Sequence, residues 1–285
     1  MIDFHTHPFL VKEFIEDDPA LLNCIRNVFG LYFPPQPLEV FLRELDAAGV
    51  DKAVLLPLDC SVSNGCKIFS NEQIAELVSW SPRFIGFSSV DPLNKNASKE
   101  LEYAVNSLGL KGLKLDPSIQ RFEPNSKEYA YPIYYKCREL KIPVMIHCGL
   151  SWAPKGKTSY SHPLQLEDVF NDFPDVTFII PHFGWPWVRE SIMLALKHPN
   201  AYLDTSIIYS GTPKTVFEQV FTYDVGFNVL EASLSSQILF GSNYPRQDIR
   251  RTVKGIKSLN MSKEFYINIF NNNSEKILTK GKLIQ

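Results

Sequence analysis

Hydrophobic and polar positions along this chain switch repeatedly between two periods. Short apolar runs of strand type recur at Ile2–His7, Ala53–Leu58, Phe84–Val90, Gly112–Asp116, Val144–Cys148, Thr177–His182, Ala201–Thr205 and Ile238–Gly241. Segments of helical period lie between them. In Pro37–Gly49, Val40, Phe41, Leu45 and Ala48 share one face and Gly49 supplies the stop. Ser70 stands three residues before Gln73, the spacing of a reciprocal N-terminal cap. "NSKEYAYPIYYKCREL" and "PLQLEDVFNDF" repeat the helical pattern, and "SKEFYINIFNNNSEKIL" reads as a closing helix pair. Eight strands, each followed by helix, predict a single α/β domain over residues 1–285, a (β/α)8 TIM barrel rather than an open sheet. Two connections are long, Pro8–Pro37 after the first strand and Ile207–Ser236 after the seventh. Both follow strands, which predicts them on the face where barrel enzymes keep their sites.

Composition narrows the class. A chain of 285 residues with 45% hydrophobic content can bury one large core. A formal net charge of -2 and a pI near 6.3 give no basic field for nucleic acid or an anionic membrane. No apolar run approaches the ~20 residues that span a bilayer. Five cysteines (Cys24, Cys60, Cys66, Cys137, Cys148) are an odd number with no paired framework. They predict reduced thiols and a cytoplasmic setting, and Cys60 and Cys66 are not at a zinc-knuckle spacing. The first strand opens at Ile2, which in this reading leaves no room for a leader.

The candidate chemistry lies at the C-terminal ends of the predicted strands, which converge on one mouth of a barrel. There the chain places His5, His7, Asp59, Asp91, Lys114, Asp116, His147, His182, Asp204 and Asn243. A single strand-end aspartate is explained as a helix cap. Polar groups on nearly every strand, four of them histidines, are not. His5 and His7 alternate along a strand and so point to one side, presenting two imidazoles to one ion. Such an ion lowers the pKa of bound water to roughly 7 and polarises carbonyls. Histidine nitrogen suits zinc, iron, cobalt and nickel, and zinc is the expected ion.

The other polar residues divide. Lys114 is expected to point inward with Asp116, as a grip for a substrate carboxylate, a metal-bridging group or an internal ion-pair partner. His162 opens the fifth helix as a substrate contact or a cap. Trp185 and Trp187, which follow His182, either pack or wall the pocket. His198 precedes a strand and so belongs to the structural rim.

"IDFHTHP", "GLKLD", "VMIHCG", "HPLQLEDVFNDFPDVTFIIPHFGWPWV", "HPNAYLDTS" and "ILFGSNYP", in that order, resemble the amidohydrolase-related proteins of the aminocarboxymuconate semialdehyde decarboxylase type. That family includes non-oxidative decarboxylases and metal-dependent lactone hydrolases. The resemblance implies a barrel with a zinc-like divalent ion, with His5, His7 and His147 as ligands and His182 as acid/base or carbonyl-polarising group. The family's last strand ends in an aspartate that ligates the metal and shuttles a proton. Here Asn243 stands in its place, still a candidate ligand and catalytic position. An amide oxygen touches a cation but accepts no proton at neutral pH. Asp116 or Asp204 then serves as base, or the chain binds metal and ligand without turnover, or the amide was introduced into an active chain.

The leading expectation is hydrolysis of a small carboxylated cyclic ester or amide. Non-oxidative decarboxylation is the second, and a catalytically silent binding protein the third. The expected partner is a small-molecule substrate, with neither nucleic acid nor membrane, and a homodimer is the expected assembly.

Overall fold

The computed structural model describes residues 1–206 and 211–279. The first four positions of the 207–236 insertion therefore lie outside the described residues. The strands are β1 (Ile2–Thr6), β2 (Lys52–Leu55), β3 (Leu58–Cys60), β4 (Cys66–Ile68), β5 (Phe84–Gly86), β6 (Leu113–Leu115), β7 (Val144–Ile146), β8 (Phe178–Ile180), β9 (Ala201–Asp204) and β10 (Ile238–Leu239). β3 and β4 pair as an antiparallel hairpin that the sequence pattern does not predict. The other strands form two parallel arcs, β1-β2-β5 and β10-β9-β8-β7-β6. The arcs close on each other through Phe4 N donating to Phe240 O at 2.8 Å and Lys114 N donating to Ser88 O at 2.7 Å. The result is the (β/α)8 barrel that the pattern predicts.

Inside the barrel, Ile2, Phe4, Val54, Leu56, Phe87, Met145, Ile179, Tyr202 and Leu239 form an apolar cluster of their own. Ile277 of the C-terminal helix packs into it from below. β6 breaks the pattern, because Lys114 sits in register with Met145 and so takes the inward position. The site thus stands on an oily floor with one cation set into it, where low dielectric strengthens the attraction between that cation and an anionic group.

β1 needs an irregularity to serve both floor and site. Asp3 pairs with Ala53 but Thr6 pairs with Leu55, so β1 carries one extra residue. Such a bulge changes the phase of the side chains. Phe4 joins the floor while His5 and His7 both reach the mouth.

The long connection after β1 is about half helical. Lys12–Ile15 and Pro19–Cys24 are α-helical, and the latter runs into a wider π-helical turn at Ile25–Phe29 that Gly30 ends. The Ser70 cap forms with both reciprocal bonds. The C-terminal "pair" is one continuous helix over 263–279 with a π-helical middle at Asn268–Asn272.

The cysteines depart from expectation. Cys24 and Cys66 are joined by a disulfide, leaving Cys60, Cys137 and Cys148 free among the described residues. Counting cysteines misses this because the partners are 42 residues apart and meet only when the Pro19–Cys24 helix packs on the hairpin. Among the described residues no helix is long and apolar enough to cross a membrane.

Candidate active site

Four imidazoles meet at the barrel mouth. The rings of His7 and His5, of His5 and His182, and of His182 and His147 have centroids 5.1, 5.0 and 5.0 Å apart. β10 approaches closely enough that a Cβ on Gly241 would meet the His5 Cβ at 2.8 Å, so a side chain there would push His5 aside. His182 and Asn243, the residues after β8 and β10, adopt left-handed backbone with φ of 61° each. Asparagine and histidine both visit that region more readily than most residues, and their surroundings hold them there. For His182 the hold is a hydrogen bond from its N–H to Asp204 Oδ1 at 2.9 Å.

The hydrogen bonds assign the tautomers. His5 Nδ1 faces Asp204 Oδ2 at 2.7 Å, and His7 Nδ1 faces Leu56 O at 3.0 Å. Both oxygens accept, so each ring places its proton on Nδ1 and leaves Nε2 bare. His182 Nδ1 faces Ser206 O at 2.7 Å, so its Nε2 is the acceptor for His147 Nδ1 at 3.1 Å. That leaves His147 Nε2 bare too, buried and without a partner. Asn243 Oδ1 is a second buried atom without a partner, while its Nδ2 donates to Ser206 O at 3.3 Å. Burial pushes His5, His7 and His182 well below the ordinary imidazole value, and His147 below it, keeping the rings neutral. Three bare imidazole nitrogens, each opposite a hydrogen-bonded ring nitrogen, have the chemistry of a divalent cation's donor set, while the trio whose ligand atoms lie within 4.8 Å of one another is His5, His182 and Asp204.

The remaining groups fall into those that face the cavity and those that support it. Lys114, Asp116, Trp185, Asn243 and the four histidines line the cavity. Burial lowers the Lys114 ammonium, opposed by Asp116 and Asp204. Asp116 caps the short helix that follows it, with Oδ1 accepting from Ser118 Oγ at 2.6 Å and Ile119 N at 3.1 Å. Its Oδ2 lies 4.0 Å from His147 Nδ1.

Asp204 stands behind the site, not in the cavity wall. Its oxygens are taken by His5, the His182 and Ser206 amides, and the Ser206 hydroxyl. His162 lies off the cavity, its Nδ1 accepting from Leu164 N at 3.3 Å and its ring against Trp187. Asp59 pairs with Lys67 in the hairpin, and Asp91 holds the Val62–Ser63 turn through its amides. His198 is buried outside the cavity against Phe170.

Sequence reasoning misses Arg246, Trp152 and Ser206. Arg246 lines the cavity on the loop after β10, donating to Phe29 O at 2.6 Å with its guanidinium 4.4 Å from the Phe29 ring centre. Burial lowers it to about 10, leaving it charged at neutral pH. Its signal was present: a basic residue three positions past Asn243. Trp185 is set by Gly149, where a Cβ would meet Trp185 O at 2.2 Å and φ is +100°.

Residues 2–280 match the amidohydrolase family profile. A 163-residue stretch, 50% of this chain, is 32% identical to a 2-keto-4-carboxy-3-hexenedioate hydratase of Sphingobium sp.. The match spans about half of that hydratase's own length, 46%. An uncharacterised TIM-barrel protein of Bordetella bronchiseptica superposes with a TM-score of 0.78 at 23% identity, covering 99% of both chains. A 5-carboxyvanillate decarboxylase of Novosphingobium aromaticivorans, solved with manganese, superposes with a TM-score of 0.68 at 18% identity over 98% of this chain and 95% of its own. The structural likenesses speak for the fold. The match of nearly every residue to one profile, on a barrel with histidines at these strand ends, settles the lineage: the chain belongs to the amidohydrolase family.

Proposed function

We propose that this chain is a metal-dependent lyase that adds water to, or removes it from, a small unsaturated substrate carrying at least two carboxylates. The observation that carries the reading is a pair of cations, the buried Lys114 and the half-buried Arg246, lining the same cavity as the three bare imidazole nitrogens. Two cations in one enclosed space favour a ligand with two anionic groups. The partial likeness to a hydratase of a carboxylated keto acid supports the same class.

His5, His7 and His147, with the Asn243 amide oxygen as a neutral fourth donor, would hold a divalent ion, which would supply Lewis acidity and a water of lowered pKa. Zinc suits a set of imidazoles, and the manganese of the decarboxylase relative is the alternative to test. Lys114 and Arg246 bind and orient the carboxylates. Asp116 Oδ2 takes the proton of the attacking water, since the other candidate carboxylate, Asp204, is spent on supporting His5 and His182. Asn243 accepts hydrogen bonds but not that proton.

Decarboxylation is the second reading, and Asn243 favours it. Loss of carbon dioxide needs a proton delivered to carbon but no base for water. Hydrolysis of a carboxylated cyclic ester or amide uses the same cations and water, and needs a proton carried to the leaving group as well.

The test is incubation of zinc- or manganese-loaded protein with unsaturated keto di- and tricarboxylic acids and with carboxylated lactones. Metal-dependent loss of the conjugated absorbance without bicarbonate release is expected. Stoichiometric bicarbonate would replace hydration by decarboxylation, and ring opening with proton release would replace it by hydrolysis. No turnover of any class by metal-loaded protein would sink the enzymatic reading.

A further inference from the structure

Three sulfurs meet where the Pro19–Cys24 helix packs on the β3–β4 hairpin. Cys24 is bonded to Cys66, and Cys60 Sγ lies 3.9 Å from Cys66 Sγ. The sulfurs of Cys24, Cys60 and Cys66 all lie within 4.8 Å of one another. Cys60 and Cys66 are also directly opposed residues of the hairpin, the relation that brings cross-strand side chains closest. We propose that this cluster is a thiol–disulfide switch, in which Cys60 takes Cys66 from Cys24 and unfastens the segment over residues 12–30 from the barrel mouth.

The step needs no outside oxidant. Cys60 Sγ, as thiolate, attacks Cys66 Sγ. The Cys60–Cys66 bond forms as the Cys24–Cys66 bond breaks, and Cys24 leaves as a thiolate that takes up the proton Cys60 released. One disulfide and one thiol are present before and after.

The environment of Cys60 keeps the exchange slow at rest. Burial, then Asp59, Asp91 and Asp116, push the Cys60 thiol up to about 12, so it is seldom a thiolate at neutral pH. Lys67, paired with Asp59, is the nearby cation in the hairpin.

The consequence reaches the cavity. Cys24 ends one helix and the next turn, Ile25–Phe29, follows without a break. Phe29 O accepts from Arg246, and the Phe29 ring lies 5.1 Å from the His7 ring. Loosening this segment removes the support of a cavity cation. The switch depends on neither the metal nor the reaction proposed above.

The experiment incubates the oxidised full-length protein at mildly alkaline pH, quenches it with acid, alkylates it under denaturing conditions and maps the thiols by mass spectrometry. A growing fraction with Cys24 alkylated and both Cys60 and Cys66 protected is expected, and none in Cys60→Ser. Separately, oxidised Cys24→Ser should lose hydrogen-exchange protection across residues 12–30 by more than tenfold relative to Cys60→Ser, with the barrel strands unchanged. The proposal is overturned if Cys24 is alkylated only together with Cys66. Equal protection of residues 12–30 in the two variants overturns it as well.

Discussion

His5 Nε2 and His7 Nε2 lie 3.2 Å apart with neither ring placed to donate to the other. Asp204 draws the His5 proton to one side and the Leu56 carbonyl draws the His7 proton to the other. Two lone pairs at that separation repel unless a positive centre lies between or beside them. The β1 bulge that sets both rings at the mouth therefore costs stability in the empty protein and offers it back on cation binding.

The pH dependence of the metal-free protein follows from the same burial. His5, His7, His147 and His182 all have folded values below the unfolded 6.5. Below that pH the unfolded chain binds more protons than the folded one, so stability falls as pH drops toward the folded values. Asp3 opposes this, because burial holds it at about 7 against an unfolded 3.8, so its contribution is greatest below 3.8 and is lost as pH rises through 7. Four imidazoles outweigh one carboxyl between these limits. Urea midpoints in the presence of chelator are expected to be lower at about pH 5 than at about pH 7. A flat or inverted dependence would refute the neutral, buried imidazoles.

Asp116→Asn should lower kcat by about 10²-fold or more, the usual contribution of a general base. Asn243→Asp should change kcat by less than about tenfold, because the proton already has an acceptor in Asp116. Steady-state rates of the two variants separate the roles. A large gain in Asn243→Asp with little loss in Asp116→Asn would move the base to position 243.

Arg246→Lys should raise KM for carboxylated substrates by about 10- to 100-fold, as expected for the loss of a charge-assisted bond. Lysine cannot reproduce a planar guanidinium that reaches Phe29 O while lying over the Phe29 ring. Lys114→Met should raise KM similarly. Unchanged KM in both variants would remove the carboxylate grip.

Gly149→Ala should destabilise the fold by about 1–3 kcal/mol and displace Trp185. Its φ of +100° and the 2.2 Å approach to Trp185 O leave no room for a methyl group. Thermal unfolding reads the first effect, and tryptophan emission of the folded protein the second. An unshifted Tm would mean that the loop yields freely.

The barrel was legible because its strands are short apolar runs with polar ends, and the histidines because each ends a strand. His5 and His7 share a side by strand alternation, but that Phe4 shares it too needs the bulge, which no local pattern encodes. Asp204 looked like a mouth residue by position, yet Ser206 and the His182 amide occupy its Oδ1 and His5 occupies its Oδ2. Arg246 and the Cys24–Cys66 bond depend on elements that meet only in the folded chain. His162 follows its local chemistry, a histidine before proline that caps the next turn.

The most direct measurement is metal content of the purified protein after loading with zinc or manganese and dialysis, for the wild type and for His5→Ala/His7→Ala. About one divalent ion per chain in the wild type and none in the double variant is the expected result. A wild type without bound ion, or a double variant that keeps it, would contradict the shared-cation site.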